Sequence, residues 1–271
     1  MKSIAVGFFD GVHLGHQAIL KGAESALTFR NHPLSVLAPA NAPVLIMTPD
    51  ERLDAIRACG VKEPRMLDFT RETAECPPEE FAARHFAGKR VVCGENWRFG
   101  RGGRGDANLL RTMGIAVEVV PYAEHKGERV SSSRIRESLA RGEIGEANAM
   151  LGRRFSVCGT RQAGKGMGAK IGFPTVNLAI GRRLGIPFGA YEVASGDRRG
   201  VANYGLAPTM GAEAWREPVL EVHWLCDVES SRKFSPACCS VEFVRFIRPE
   251  RKFASVEELR RQIVSDCGGV A

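Results

Sequence analysis

The stretch Ser3-Ile4-Ala5-Val6-Gly7-Phe8-Phe9-Asp10-Gly11-Val12-His13-Leu14-Gly15-His16 decides the fold of the first half of this chain. Its apolar opening, residues 3–8, reads as a buried strand, and residues 14–25 are compatible with a helix. Gly7 and Gly11 punctuate the turn between them. Working outward, residues 26–30 read as a second strand and 65–68 as a third. A helix follows at 78–86, a strand at 90–93, a helix at 106–113 and a strand at 115–121. From Ser131 the run SSSRIRESLARG reads as a helix with a serine cap and a glycine stop, and residues 145–151 as a last short helix. Strands alternating with helices imply βαβ units and a parallel sheet. The first domain is expected to span residues 1–153.

Beyond Arg153 the pattern changes. Residues 155–160, 175–179, 190–195, 200–206, 219–226 and 239–247 are short, β-rich and separated by Gly, Pro and charged turns. Such spacing predicts a barrel or sandwich over residues 154–271. A closing helix is expected at 255–267, with Val256, Leu259 and Ile263 along one face. The reading is an α/β domain followed by a small β-barrel with a terminal helix.

Composition sets the outer limits. The 271 residues are 44% hydrophobic and 25% charged, within the globular range. No apolar run approaches the roughly 18 residues of a membrane span, and the N-terminal stretch lacks the pattern of a signal peptide. The eight cysteines include no CxxC pair, so neither a zinc site nor a disulfide framework is suggested, and a reducing cytoplasm is the expected location. The net charge of +7 fits nucleic acid and phosphorylated small molecules equally well.

Two segments carry candidate chemistry. In the first, a strand end passes into a helix N-terminus, where free N–H groups and partial positive charge suit a phosphate. His13 and His16 stand three residues apart, so both reach one helical face and one phosphoryl group. Each can donate an N–H to charge building on a phosphate under attack, while Gly15 leaves room for a nucleotide against the backbone. Histidines at this spacing are otherwise surface residues or metal ligands. The second segment is Gly164-Lys165-Gly166-Met167-Gly168-Ala169-Lys170-Ile171-Gly172-Phe173-Pro174-Thr175-Val176-Asn177. Its glycines permit close backbone approach to phosphates. Thr175 and Asn177 are i, i+2 on an expected strand, where a hydroxyl and an amide oxygen suit a Mg²⁺ that bridges ATP phosphates. In residues 219–224, Leu220, Val222 and Trp224 alternate with Glu221 and His223.

The first segment resembles the HxGH signature of nucleotidyltransferases, in the form GFFDGVHLGH found in prokaryotic bifunctional riboflavin kinase/FAD synthetases. The resemblance continues through Thr28-Phe29-Arg30-Asn31-His32-Pro33, through Gly94-Glu95-Asn96-Trp97-Arg98-Phe99-Gly100 with Arg104-Gly105-Asp106, and through Val130-Ser131-Ser132-Ser133-Arg134-Ile135-Arg136. In the second half, GFPTVN is similar to the riboflavin kinase GxPTxN motif. It implies a Rossmann-like nucleotidyltransferase domain, then an antiparallel riboflavin-kinase-like barrel. ATP, riboflavin and FMN are the implied substrates, FMN and FAD the products, and Mg²⁺ the cofactor. Neither nucleic acid nor membrane is an implied partner.

The family assigns catalytic roles to positions matching His13, His16 and Glu221, the last as base toward the ribityl hydroxyl. Nucleotide or flavin contacts are implied for Gly7, Phe8, Asp10, Gly15, His32, Asn96, Ser132, Ser133 and Arg136. In the barrel they are implied for Gly164, Gly166, Lys170, Gly172, Pro174, Thr175 and Asn177, with Thr175 and Asn177 as metal ligands. The chain departs from the family in a shorter first crossover and in the segment around Phe234-Ser235, where the family has LYG. Two rival readings stand beside this one: another HxGH nucleotidyltransferase with an unrelated barrel, and an RNA-binding protein using the Arg98–Arg104 stretch.

Overall fold

The structure, a computed structural model, describes residues 1–163, 168, 171–206, 218–225 and 239–270. The chain separates into two compact units. One comprises Met1–Arg134 with Met150–Gly152, the other Ile135–Ala149 with the residues from Arg153 onward.

In the first unit, the apolar runs form five parallel strands: β1 (Lys2–Val6), β2 (Ser25–Phe29), β3 (Glu63–Leu67), β4 (Lys89–Gly94) and β5 (Val117–Val120). Their order is β3-β2-β1-β4-β5. Ile4, Ala5, Val91 and Cys93 are fully buried, as expected where helices cover both faces of a parallel sheet. Phe81 and Phe86 of helix α5 (Pro78–Phe86) pack on Phe99 and Leu110 in this core. The chain leaves β1 toward β2 and β3, then crosses to β4 and β5 on the other flank. The strand order therefore reverses beside β1, and the carboxyl ends of β1 and β4 bound the crevice where such sheets bind ligands.

The shortened crossover closes. Helix α1 (Leu14–Leu20) is only two turns long, ending five residues before the expected stop because Gly22 turns the chain at φ +76°. β2 still lies parallel to β1, with Ser25 opposite Ile4.

Four elements were not expected: α2 (Leu34–Leu37), α3 (Pro49–Ala58), α4 (Arg71–Glu75) and a small hairpin of β6 (Glu124–His125) and β7 (Glu128–Arg129). α3 carries a full capping box, the Thr48 hydroxyl accepting from Glu51 N while the Glu51 carboxylate accepts from Thr48 N. Its apolar pattern is hidden because the buried face presents Arg52 together with Ile56. Helix α6 (Ala107–Thr112), capped by Asp106, leads into β5.

The second unit is built on a closed antiparallel barrel. Its strands are β8 (Phe155–Gln162), β9 (Val176–Ala179), β10 (Gly189–Ser195), β11 (Arg198–Leu206), β12 (Pro218–Trp224) and β13 (Cys239–Pro249). They close in the order β10-β11-β12-β9-β8-β13, which leaves no sheet edge. Helices α7 (Ser132–Ala140) and α8 (Ile144–Leu151) precede it and α9 (Val256–Gly268) ends it. On α9 the face that packs carries Leu259, Ile263 and Asp266, whereas Val256, expected on that face, is exposed in the first turn. Asp266 is drawn in because Arg248 of β13 binds its carboxylate through Nε and Nη2. No described helix is long and apolar enough to cross a membrane.

Asn148 of α8 ties the barrel together. Its Nδ2 donates to the Phe243 carbonyl at 2.9 Å, and its Oδ1 accepts from Phe155 N at 2.6 Å. Replacing Asn148 with Ala strands a donor and an acceptor beside two buried phenylalanines, which costs about 1–3 kcal/mol. Asn148→Ala is expected to lower the denaturant midpoint of the barrel's unfolding without changing its slope. An unchanged midpoint would show that water replaces the amide without loss.

Candidate active sites

The first site begins where β1 ends. Between Gly7 and His13 the backbone makes a tight, strained loop: Phe9 (φ 56°) and Val12 (φ 40°) are left-handed non-glycine residues around Gly11 (φ +83°). The surroundings fix that shape. Phe9 and Val12 are buried, and the Phe9 ring lies where a side chain on Gly7 would stand, 2.8 Å from the Cβ position. Thr28 Oγ1 donates to the Phe8 carbonyl, and Gln17 Nε2 donates to the carbonyls of Val12 and Leu151.

His13 caps α1. Its Nδ1 accepts from His16 N at 3.3 Å, which places the neutral ring's proton on Nε2. The His13 and His16 rings stack at 3.6 Å and 17°, and the Phe9 ring meets His16 edge-on at 5.3 Å. The pair expected from i, i+3 spacing is therefore assembled as one stacked unit. Gly15 is needed beside it, because a Cβ there would stand 3.3 Å from His13 Cε1.

The other residues expected at this site fall into two groups. The Ser132 hydroxyl donates to the Asp10 carbonyl at 2.9 Å, so the start of α7 meets the loop. Ser133 is the next residue of α7, and Arg136 lies one turn further along the helix. His32 meets Phe8 edge-on at 4.9 Å, while its Nδ1 accepts from Leu34 N. The buried carboxylate of Asp10 accepts from Ile46 N and Met47 N at 3.0–3.2 Å, which braces the loop. Asn96 is exposed in the loop after β4, on the other side of the strand-order reversal.

The second site lies in the barrel. Gly164, Gly166 and Lys170 lie outside the described residues. Gly172 is left-handed at φ +90°, and Phe173 N donates to Gly168 O at 2.8 Å. Thr175 comes immediately before β9 and not within it. A cavity of about 250 Å³ includes Phe173, Thr175, Asn203, Glu221 and His223 in its wall. Asn177 is absent from that wall, but register places it opposite Glu221 on one side while Asn203 opposes Glu221 on the other. Directly opposed residues share a sheet face, so two amides flank the carboxylate. Pro174, next to Thr175, presents its carbonyl to His223 Nδ1 at 2.9 Å.

Glu221 remains open to solvent, yet its pKa is raised, first by desolvation of its carboxyl in the cavity wall and then by the charge of Glu250. Glu250 leans over Gly205, with Oε1 2.7 Å from where a Cβ would stand. Among the described residues, no three His, Cys, Asp or Glu side chains gather as a metal centre. The side-chain oxygens of Thr175 and Asn177 are nevertheless of the kind that suits magnesium, a hard cation that takes few protein oxygens and completes its shell with phosphate and water. Periodicity carried no signal for Glu250, which reaches the cavity because β13 closes the barrel. The contact from His223 to Pro174 was equally hidden, although alternation had placed His223 on the Glu221 side.

A paired-histidine loop at the switch point of a parallel sheet, followed by a glycine-rich barrel with a carboxylate in its cavity, defines a two-unit nucleotidyl- and phosphoryl-transfer protein. Residues 1–134 match the FAD synthetase family and residues 151–270 the riboflavin kinase family. A bifunctional riboflavin kinase/FMN adenylyltransferase of Escherichia coli strain K12 is 32% identical, the match covering 97% of this chain and 90% of that protein. Its counterpart in Bacillus subtilis strain 168 is 30% identical over 98% and 90%. A crystal structure described as a macrolide-efflux protein from Streptococcus pneumoniae superposes with a TM-score of 0.82 at 28% identity, covering 98% of this chain and 93% of that one. The chain belongs to the bifunctional riboflavin kinase/FMN adenylyltransferase family. These matches do not favour an unrelated barrel or an RNA-binding role.

The raised pKa of Glu221 has a kinetic consequence. A carboxyl that must be ionised to accept a proton loses activity as pH falls through its pKa. With Glu221 as the base, the role the family resemblance implies, the acid limb of riboflavin phosphorylation is expected above the ordinary carboxylate value of 4.5. Glu250→Gln removes the like charge and should move that limb to lower pH. A limb that stays in place would show that Glu250 does not act on the base.

Proposed function

We propose that residues 1–153 form the adenylyltransferase domain, and residues 154–271 the riboflavin kinase domain, of a bifunctional flavin enzyme. The chain phosphorylates riboflavin to FMN with ATP, then adenylylates FMN to FAD with release of pyrophosphate. Support comes from the coincidence of each family match with most of one compact unit, each holding its own donor set.

In the barrel, the ribityl hydroxyl attacks the γ-phosphorus of ATP and gives its proton to Glu221, while the bond from that phosphorus to the β-phosphate bridging oxygen breaks. The flanking amides of Asn177 and Asn203 orient the carboxylate. Thr175 and Asn177 hold Mg²⁺, which when bound neutralises charge on the phosphate oxygens. Gly164, Gly166, Lys170, Gly172 and Pro174 belong to the segment that covers those phosphates.

At the sheet, a phosphate oxygen of FMN attacks the α-phosphorus of a second ATP and pyrophosphate leaves. His13 and His16 donate N–H groups to the charge that builds there. Ser132, Ser133 and Arg136 bind the leaving phosphates at the start of α7. Gly7, Phe8, Gly15, His32 and Asn96 receive nucleotide and flavin, and Asp10 holds the loop in shape. Magnesium would serve this site too by neutralising charge on the phosphates. The enzyme works in the cytoplasm on ATP, riboflavin and FMN, with neither nucleic acid nor membrane as partner.

The two sites should respond separately in the full-length protein. His16→Ala is expected to lower FAD formation about 100- to 1,000-fold, the scale for one transition-state donor, and to leave FMN formation intact. Glu221→Gln should do the reverse, lowering FMN formation about 100- to 10,000-fold. Equal damage to both activities in a folded variant would overturn the assignment.

A further inference from the structure

The first unit contains a charged group that the chemistry above does not use. Arg52, on α3, is fully buried. Its Nη2 donates to the carbonyls of Phe29 at 2.6 Å and Arg30 at 2.9 Å, where β2 ends. Its guanidinium carbon lies 4.3 Å from the centroid of the Phe8 ring. Its Nε and Nη1 are buried and hydrogen-bond to nothing among the described residues. Burial lowers its pKa to about 10, so the charge persists at neutral pH.

A cation with two stranded donors is a poor choice for stability alone. Burying a charge is costly unless its hydrogen-bonding groups are satisfied, and a buried unsatisfied group in a folded protein calls for a specific explanation. The position of Arg52 supplies one. Phe8 starts the strained loop that ends at His13, and the Phe8 ring also meets His32. Arg30, whose carbonyl Arg52 holds, lies two residues before His32. Arg52 thus grips from inside the two segments that leave the carboxyl ends of β1 and β2. The opposite charge nearest in effect, Asp10, is bonded to the amides of Ile46 and Met47, just ahead of α3.

We propose that Arg52 is a positioning residue of the adenylyl-transfer site, its charge against the Phe8 ring and the β2 carbonyls fixing the loop that carries His13 and His16. The inference rests on the reading of that loop as the adenylyl-transfer site. Displacing reacting groups by about 1 Å lowers turnover by up to about 100-fold, so the effect belongs in kcat.

The test uses full-length Arg52→Met, Arg52→Lys and His16→Ala proteins, with FAD formation, riboflavin phosphorylation and thermal unfolding measured on each. Arg52→Met should lower kcat for FAD formation about 10- to 100-fold, with a smaller change in KM for ATP. Its riboflavin phosphorylation should match the parent protein, while its unfolding midpoint should fall because the carbonyls of Phe29 and Arg30 lose their donor. Arg52→Lys, which keeps the cation over Phe8, should recover kcat to within about threefold. A parental kcat in Arg52→Met, or a folded Arg52→Lys as impaired as Arg52→Met, would overturn the proposal. If Arg52→Met fails to fold, the lysine variant decides alone, with near-parental kcat supporting the proposal and a tenfold or greater loss refuting it. His16→Ala separates the two readings. FAD formation that survives it removes the site assignment, whereas its loss alongside a fully active Arg52→Met removes only the role of Arg52.

Discussion

The first site depends on how Asp10 is held. A loop with two left-handed non-glycine residues carries strain of order 1–3 kcal/mol at each, and it persists only if its surroundings over-determine it. The Asp10 carboxylate accepts from two successive amides ahead of α3, while its carbonyl accepts from Ser132 at the start of α7. Hydrogen bonds to a charged group contribute about 1.5–3 kcal/mol, enough to offset the strain. One residue therefore ties the loop that carries the stacked His13 and His16 both to the segment ahead of α3 and to Ser132. The geometry of the paired histidines rests on buried polar contacts beneath the loop.

The barrel solves its problem by register. Antiparallel pairing sets Asn177, Glu221 and Asn203 in one row across β9, β12 and β11, so a single alignment fixes carboxylate and amides together. A one-residue slip of β12 alone would turn Glu221 to the opposite face of the sheet. Barrel closure then brings Glu250, just after β13, near Glu221. The contact between Arg248 and Asp266 holds α9 on the barrel, where Leu259 and Ile263 complete the apolar wall. The parallel sheet draws its site from loops at one edge, and the barrel draws its site from strand faces.

Much of this was legible in the residues, for reasons that differ by element. β1, β2 and β4 carry buried apolar runs, and the alternation of strands with helices sufficed for a parallel sheet. Helix α5 matched its expected bounds because Pro78 starts it and Phe81 and Phe86 mark its buried face. α3 was invisible for the reason that makes it interesting, a charged Arg52 on the face that should read as apolar. α2 and α4, of four and five residues, are too short for periodicity to register. At the first site, spacing brought His13 and His16 to one face, but it held no hint that they stack or that Asp10 turns inward. At the second, alternation grouped Glu221 with His223, whereas the approach of Glu250 depends on closure of the whole barrel.

The central claim is that one chain performs two distinct transfers, a γ-phosphoryl transfer in the barrel and an adenylyl transfer at the parallel sheet. The most direct measurement follows two labels from ATP into product, with riboflavin and magnesium supplied to the full-length protein. Label at the γ-phosphorus should appear in both FMN and FAD, because the phosphate added first is retained. Label at the α-phosphorus should appear in FAD and never in FMN. An α-label in FMN, or FAD formed without it, would contradict the account.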